Sequence, residues 1–186
     1  MDINKFIVDY GYFAIFFFMV IESSFVPFPS EIVMIPAGYF ASQGKLNLFL
    51  SILIGALGSL VGAWINYFLA LKFGRPFTAK VVPKNYLLKT EKIFHRYENY
   101  SIFIGRLLPG IRQYISLPAG LFKMNFFTFS ILTFLGAFIW CSILAFFGYY
   151  LGINFSLISK YEYFLYTFLF FIFLLYFLLK IKNFKR

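Results

Sequence analysis

The sequence predicts an all-α integral membrane protein with inverted repeats, each a re-entrant helix hairpin followed by a transmembrane helix, and an extra C-terminal transmembrane helix. Three observations predict this fold: a low charge content, long apolar runs, and prolines that recur at a fixed spacing. Of the 186 residues, 61% are hydrophobic and 13% are charged, whereas a soluble domain carries about 25% charged residues. The chain therefore has too few polar side chains to cover a surface in water.

The long apolar runs are the predicted transmembrane helices. Residues 46–71 and 125–152 contain no charged residue, and each exceeds the roughly 20 residues needed to cross a bilayer. Residues 161–180 form a shorter third span. Basic residues concentrate in the linker 75–98 and in the C-terminal tail, and the positive-inside rule places both in the cytoplasm. Within that linker, apolar residues at helical spacing predict an interfacial amphipathic helix.

Two further apolar segments are broken in the middle. Residues 22–31 read ESSFVPFPSE and interrupt the first segment, whereas residues 105–120 read GRLLPGIRQYISLPAG and interrupt the second. The pieces on either side are each about half a span long, so each segment is predicted to be a re-entrant hairpin. Irregular backbone at membrane depth is tolerated where it is buried in protein or lines a wet cavity. The predicted hairpin breaks are Pro27, Pro29, Pro109 and Gly110.

The two broken segments are related by an internal repeat. Pro27 and Pro109 are 82 residues apart, and so are Pro36 and Pro118. Because the spanning helices that follow run in opposite directions, the repeats are inverted, an arrangement common in transporters. The predicted parts of this single membrane domain are repeat one at 11–74, the cytoplasmic linker with its amphipathic helix at 75–98, repeat two at 100–152 and the C-terminal helix at 161–180.

Four charged residues lie within these predicted hairpins. Glu22 and Glu31 belong to repeat one, and Arg106 and Arg112 belong to the equivalent part of repeat two. One charge at the bilayer centre costs about 2.5–3.5 kcal/mol, so four unpaired charges would cost on the order of 10 kcal/mol. We therefore expect the hairpin tips to meet and to place both pairs around one polar cavity. The alternative is that the four charges form two static salt bridges that only fix the hairpins.

Backbone groups near the second break add to the expected anion site. A half-helix starting at Pro109-Gly110 would direct free N–H groups near residues 111–113 into the cavity, and a helix N-terminus favours an anion. Arginine makes bidentate contacts that suit phosphate or carboxylate. Glu31 would begin the matching half-helix of repeat one, with Ser30 as its cap. A carboxylate there could ionise beside arginine and hold its proton when the arginine binds an anion, as proton coupling requires.

Other chemistry is disfavoured by the residues present. Cys141 lies inside a span and His95 lies in a basic loop, so we expect no metal site, no cofactor and no nucleophile beside a base, and the protein is not expected to be an enzyme. The net charge of +10 comes from basic residues in the loops and the tail, so nucleic acid is not an expected partner.

A stripe of small residues packs against either a neighbouring helix or a second copy of the chain, and the second case would make a homo-oligomer. It consists of Gly55, Gly58 and Gly62.

These motifs resemble those of the DedA family, within the broader VTT-domain superfamily. The family pattern E-x4-P-x-P-x-E is present from Glu22 to Glu31, and G-R-x-x-P-x-x-R is present from Gly105 to Arg112. The second motif is followed by an Ala-Gly pair and a Lys-Met pair, and a Gly-rich span ends at Gly74. The resemblance covers roughly residues 11–152. The chain departs from the family in its very short N-terminus, which leaves a fully spanning first helix as an alternative.

The resemblance implies a function in lipid transport. Proteins of this family are implicated in moving undecaprenyl phosphate, or phosphatidylethanolamine for some members, across the bacterial inner membrane, with links to the proton-motive force. It implies a multi-pass protein of that membrane, whose C-terminus the charge pattern places in the cytoplasm. Head-group binding is expected from Arg106, Arg112, Glu22 and Glu31, and proton coupling from the two glutamates. Two alternatives stay open: a proton-coupled transporter of a small solute or cation, and an uncoupled lipid scramblase.

Overall fold

The computed structural model describes residues 10–24, 29–81, 92, 94, 96, 100–108, 111–112 and 114–154, with the backbone alone at 75, 77 and 79–81. Within these ranges the regular structure is helical, without strands. The helices are α1 (Tyr12–Ser23), α2 (Glu31–Ser42), α3 (Leu48–Val81), α4 (Tyr100–Leu107), α5 (Ser116–Leu121) and α6 (Phe126–Ile153). The predicted all-α class is thereby confirmed for the described residues.

Among the described residues, two helices are long and apolar enough to cross a membrane. They are the 27-residue Leu48–Gly74 part of α3 and the 28-residue α6, and they coincide with the runs predicted at 46–71 and 125–152. The first ends at Gly74, where φ is 65° and ψ is −156°. That positive φ strains residues with a Cβ, so glycine lets the chain change direction there. Large apolar side chains on both helices are exposed, as lipid-facing positions would be.

The hairpin helices are much shorter. Helices α1 and α2 have 12 residues each, which corresponds to about 18 Å, or little over half of a 30 Å hydrocarbon core. Helices α4 and α5 have eight and six residues. The lengths of α1 and α2 agree with half-spans, and α4 and α5 are shorter. The re-entrant course of both hairpins and their inverted relation stay predictions. Three of the four predicted breaks, Pro27, Pro109 and Gly110, lie outside the described residues.

The buried apolar residues form two main clusters, each serving one hairpin. The first joins α1 and α2 to the N-terminal part of α3 and the C-terminal part of α6 around Ile15, Met34 and Ala145. The second joins α4 and α5 to the opposite parts of the same two helices around Ile102 and Phe129. Each long helix therefore packs against one hairpin with its first half and against the other with its second half.

The small-residue stripe of α3 packs within the chain. A Cβ at Gly58 would overlap the carbonyl oxygen of Phe16, and a Cβ at Gly62 would overlap that of Val20 and crowd Ser23. The backbones of α1 and α3 can therefore approach closely because these positions are glycine. The stripe was predicted to pack against either a neighbouring helix or a second copy of the chain, and the structure shows it packed against the neighbouring helix α1.

The crossing of α4 and α6 repeats this arrangement. A Cβ at Gly136 would crowd the Arg106 side chain and lie near the Phe103 carbonyl oxygen. Phe103 and Arg106 follow Val20 and Ser23 by 83 residues, one more than the 82-residue spacing of the prolines. In both crossings a mid-span glycine lies against a carbonyl oxygen and the side chain three residues later. The absence of a side chain at Gly136 therefore determines how closely Arg106 can pack against α6.

Two predicted parts lie largely or wholly outside the described residues. The C-terminal helix at 161–180 is one, and most of the linker at 75–98, with its amphipathic helix, is the other. The chain divides into two compact units, Met1–Gly152 and Ile153–Arg186, and the described part of the second consists of Ile153 and Asn154. The prediction of a single membrane domain therefore stays a prediction.

Candidate functional site

The predicted charged residues converge on the middle of the two long helices. Glu22, Arg106 and Arg112 line one small cavity, together with Ser59 from α3 and with Ala137, Trp140 and Cys141 from α6. Ser59 and Ala137 are each the twelfth residue of their spans. A site at that level lies near the middle of the bilayer if both helices cross it. The cavity volume is about 10 Å³, close to the minimum that holds one water molecule.

Arg112 is shared by the two glutamates. Its Nη2 lies 2.9 Å from Glu22 Oε1 and 3.8 Å from Glu31 Oε1. The two carboxylates differ in environment, since Glu22 is 2% exposed and Glu31 is 43% exposed. Arg112 therefore makes a close ion pair with the buried carboxylate and a looser one with the exposed carboxylate. These residues reach one another because Glu22 lies in the last turn of α1, Glu31 begins α2 and Arg112 lies between α4 and α5.

Arg106 is held differently. It is 3% exposed, and its guanidinium donates hydrogen bonds to Ser23 Oγ at 3.3 Å and to Ser116 Oγ at 3.1 Å. Among the described residues no carboxylate forms an ion pair with it, and its Nε–H has no hydrogen-bond acceptor there. Burial of a charge is costly unless it is paired. Arg106 is thus a buried cation that retains an unused donor beside the cavity.

Ser23 connects the acidic and basic parts of the site. Its hydroxyl donates to Glu22 Oε2 at 2.7 Å, lies 2.5 Å from Ser59 Oγ and accepts from Arg106. Its carbonyl oxygen, at the C-terminal end of α1, accepts from Asn66 Nδ2 at 3.2 Å. All of these residues are buried. The end of α1, which carries Glu22, is therefore fixed against α3 by hydrogen bonds.

Trp140 borders the site from α6. The guanidinium carbon of Arg112 lies over its ring, 5.0 Å from the ring centroid. The indole Nε1–H donates to Ser30 Oγ at 3.2 Å, and Ser30 immediately precedes α2. Trp140 therefore contacts Arg112 and also joins α6 to the residue beside Glu31.

Two local expectations for this site are wrong. The N–H groups of Ile111 and Arg112 both donate to the Leu108 carbonyl oxygen at 3.2 Å, so they are not free for a ligand, because the chain keeps a helical turn there. The second half-helix begins later, at Ser116. Ser30 makes no side-chain cap bond, since its hydroxyl accepts the indole N–H instead.

Sequence reasoning identified the ionisable residues and missed the polar and aromatic ones around them. Ser23, Ser59 and Ser116 are common residue types, and only their hydrogen bonds in the folded structure distinguish them from other serines. Trp140 carried no signal beyond being one of two tryptophans. The hydrogen bond from the Ser23 hydroxyl to the carboxylate of Glu22 was not predictable, because adjacent residues seldom face each other on a helix.

Comparison with known proteins identifies the family. The VTT domain model matches residues 28–150, about two thirds of the chain and the part that holds α2 to α6. The chain belongs to the DedA family of VTT-domain proteins. The resemblance expected from the two motifs is thereby confirmed. No solved structure matches the chain.

Three relatives cover most of this DedA-family chain. The uncharacterized membrane protein YbfM of Bacillus subtilis is 36% identical over 156 residues, which cover 81% of this chain and 96% of YbfM. An alkaline phosphatase-like protein of Lactococcus lactis is 34% identical over 161 residues, covering 81% and 75%. Undecaprenyl phosphate transporter A of Bacillus subtilis is 30% identical over 156 residues, covering 81% and 77%. Two of the three names therefore describe a membrane protein or a transporter, and one resembles that of an enzyme.

Proposed function

We propose that this protein translocates a lipid phosphate, undecaprenyl phosphate or a related phospholipid, across the bacterial inner membrane in a proton-coupled manner. The name of the relative undecaprenyl phosphate transporter A supports the substrate class. The mid-span position of the charged cavity supports the transport of a head group, since a lipid tail can stay in the bilayer while the anion crosses. Arg106 and Arg112 would bind the phosphate, and Glu22 and Glu31 would exchange protons.

The environment of Arg106 is the observation that carries this proposal. If the four charges were only static salt bridges, each arginine should have its own carboxylate. Instead both glutamates surround Arg112, and Arg106 has two serine hydroxyls and an unused Nε–H within the described residues. A buried guanidinium that no carboxylate contacts directly retains a donor that an anionic ligand could use. Guanidinium groups suit phosphate because they donate in a bidentate geometry.

The size of the cavity determines how the ligand can enter. A volume of about 10 Å³ accepts a water molecule and not a phosphate group. Phosphate must therefore displace Arg112 from Glu22, and protonation of Glu22 weakens that ion pair by removing the negative charge. The charged groups that face this exchange are Glu22, Glu31, Arg106 and Arg112. Release of the phosphate and loss of the proton would restore the original pair.

The predicted inverted repeat completes the proposal. It is supported by the two main core clusters, each of which joins one hairpin to opposite halves of α3 and α6, and by the matching glycine crossings at Gly62 and Gly136. Two related halves around one central site would allow the cavity to open alternately to either side of the membrane. In this arrangement the C-terminus lies in the cytoplasm, as the basic tail predicts.

Transport in proteoliposomes tests the proposal directly. Purified protein would be reconstituted, and transbilayer movement of undecaprenyl phosphate would be measured with phosphatidylethanolamine as the competing lipid. We expect selective movement of the phosphate that is lost in Arg112→Ala and Arg106→Gln. Lys45→Ala removes an exposed cation and is the matched control, which should retain transport. Equal movement in the arginine variants, or none in folded wild-type protein, would contradict the proposal.

One contact and one relative's name favour a second candidate, a lipid phosphatase. Ser23 Oγ donates to the Glu22 carboxylate, as a nucleophile does to a base, and a relative is called alkaline phosphatase-like. Against this, Ser23 is fully buried and its hydroxyl also contacts Ser59 and Arg106. Release of inorganic phosphate in the same proteoliposomes would distinguish hydrolysis from transport.

Uptake of a small solute or cation without lipid movement would favour the alternative of a proton-coupled transporter of a small solute or cation.

A further inference from the structure

Trp140 has two contacts that together fix the position of Arg112. The Arg112 cation lies over the Trp140 ring, within the roughly 6 Å at which a cation is attracted to an aromatic face. The ring itself is oriented by the hydrogen bond from its Nε1–H to Ser30 Oγ. Ser30 adjoins Glu31, whose carboxylate lies 3.8 Å from Arg112 Nη2, so Trp140 and Arg112 both contact the start of α2.

The Trp140 contact differs in kind from the other contacts of Arg112. Glu22 and Glu31 both bind its Nη2, and a phosphate would compete for the same N–H groups. The indole attracts the cation through the π electrons of its face and does not accept one of these hydrogen bonds. An incoming anion can therefore replace a carboxylate without replacing the indole.

We infer that Trp140 is a positioning residue that keeps Arg112 in the site while its partner changes from carboxylate to lipid phosphate. This inference rests on the proposed function. Without Trp140, an Arg112 side chain released from Glu22 could turn toward solvent or toward the exposed Glu31. Each binding event would then include the entropic cost of ordering that side chain again. Tryptophan gives the strongest cation–π contact of the three aromatic residues, and its N–H allows the ring to be oriented from α2.

A purely structural role for Trp140 predicts different behaviour. A ring that only fills space would affect the stability of the fold, and the folded fraction of a variant would bind ligand as the wild type does. A ring that positions Arg112 must instead change ligand affinity, and its fluorescence must respond when the ligand binds. The chain contains only two tryptophans, so Trp64→Phe leaves Trp140 as the single reporter.

The experiment uses the full-length protein in detergent with Trp64→Phe as the background. Farnesyl phosphate is titrated while Trp140 emission is recorded, and farnesol is the uncharged control. Affinity is measured independently by equilibrium dialysis of radiolabelled farnesyl phosphate, so that Trp140→Leu and Trp140→Phe can be included. Ser30→Ala removes only the hydrogen-bond acceptor of the indole, and thermal unfolding reports the folded fraction of each variant.

We expect a saturable change of Trp140 emission with farnesyl phosphate and none with farnesol. Trp140→Leu should weaken binding on the order of 10-fold, because the cost of ordering the Arg112 side chain then falls on the binding event, whereas Trp140→Phe and Ser30→Ala should weaken it less. Wild-type affinity in folded Trp140→Leu would overturn the inference and leave the proposed function standing. If Trp140→Leu does not fold, wild-type affinity in Trp140→Phe together with an unresponsive Trp140 emission would overturn it. Absence of binding by the wild type would overturn both.

Discussion

Arg106 and Arg112 share a cavity and have different tasks in the proposed mechanism. Arg106 is held by two serine hydroxyls and lies against Gly136, so its guanidinium has little freedom to move. Arg112 is 11% exposed and is bound by groups from α1, α2 and α6. The first is suited to be a fixed binding group, and the second is suited to exchange its partners. Substitutions that preserve charge and alter shape should separate these tasks.

Arg106→Lys tests the fixed group. Lysine keeps the positive charge and lacks the planar fork that reaches both Ser23 and Ser116. One buried hydroxyl or N–H should therefore lose its partner, at about 1–3 kcal/mol of unfolding free energy, and transport of undecaprenyl phosphate should fall at least 10-fold. Thermal unfolding and the proteoliposome assay measure the two effects. Wild-type transport in Arg106→Lys would show that charge alone is sufficient.

Glu22→Gln and Glu31→Gln should differ because the two carboxylates differ in burial. Glu22→Gln removes the close partner of Arg112, and the expected destabilisation is less than the roughly 3–5 kcal/mol of a broken buried pair because Glu31 stays nearby. Glu31→Gln should unfold near the wild-type temperature and flatten the dependence of transport on pH. A wild-type pH profile in Glu31→Gln would exclude Glu31 as the coupling group.

The charged members of the site were predictable from the sequence, and their pairing was not. An ionisable residue in an apolar segment is costly, so Glu22, Glu31, Arg106 and Arg112 stand out without any structure. Sequence analysis expected both pairs of charges around one polar cavity and did not specify which carboxylate binds which arginine, because counting charges gives no distances. That Arg112 has both glutamates, and that Trp140 lies under it, follows from how the helices pack.

The short and long helices have complementary functions. Helices α1 and α4 carry Glu22 and Arg106, and α3 and α6 hold these two helices at mid-span through close contact at glycine. The bounds of the long helices were predictable because an apolar run without charges has a length set by the bilayer. The local turns were less predictable, as the N–H groups of Ile111 and Arg112 show, since a proline-glycine pair does not specify where the next helix begins.

Gly136→Ala and Gly62→Ala test these crossings. A Cβ at Gly136 would meet the Arg106 side chain, whereas a Cβ at Gly62 would meet the backbone of α1. Both should destabilise the fold by roughly 1–3 kcal/mol through overpacking, and Gly136→Ala should also impair transport because it displaces Arg106. Leu57→Ala, on an exposed position of α3, is the control and should change little. Unchanged thermal stability in both glycine variants would contradict the close packing.

The inverted repeat makes a prediction about the orientation of the whole chain. If it is correct, the turn between α2 and α3 faces outward and the basic tail faces the cytoplasm. In a Cys141→Ala background, a cysteine at Gln43 should react with a membrane-impermeant maleimide in intact cells, whereas one at Lys185 should react only after permeabilisation. Labelling at both positions, or the reverse pattern, would contradict the assigned orientation. Cys141 itself is fully buried and lines the cavity, so transport by the Cys141→Ala background is measured before labelling.

Proton coupling follows if one cavity serves both the anion and the proton. In the proposed mechanism, proton binding on the acidic side of the membrane would release Arg112 from its carboxylates, and phosphate would take their place. Loss of the proton on the alkaline side would restore the ion pair and release the phosphate. A pH gradient imposed on proteoliposomes should therefore accelerate movement of undecaprenyl phosphate from the acidic to the alkaline side, by several-fold over equal pH. Glu22→Gln and Glu31→Gln should each lose that acceleration because one titrating group is missing. Equal rates with and without the gradient in the wild type would favour an uncoupled scramblase, in which the carboxylates fix Arg112 without exchanging protons.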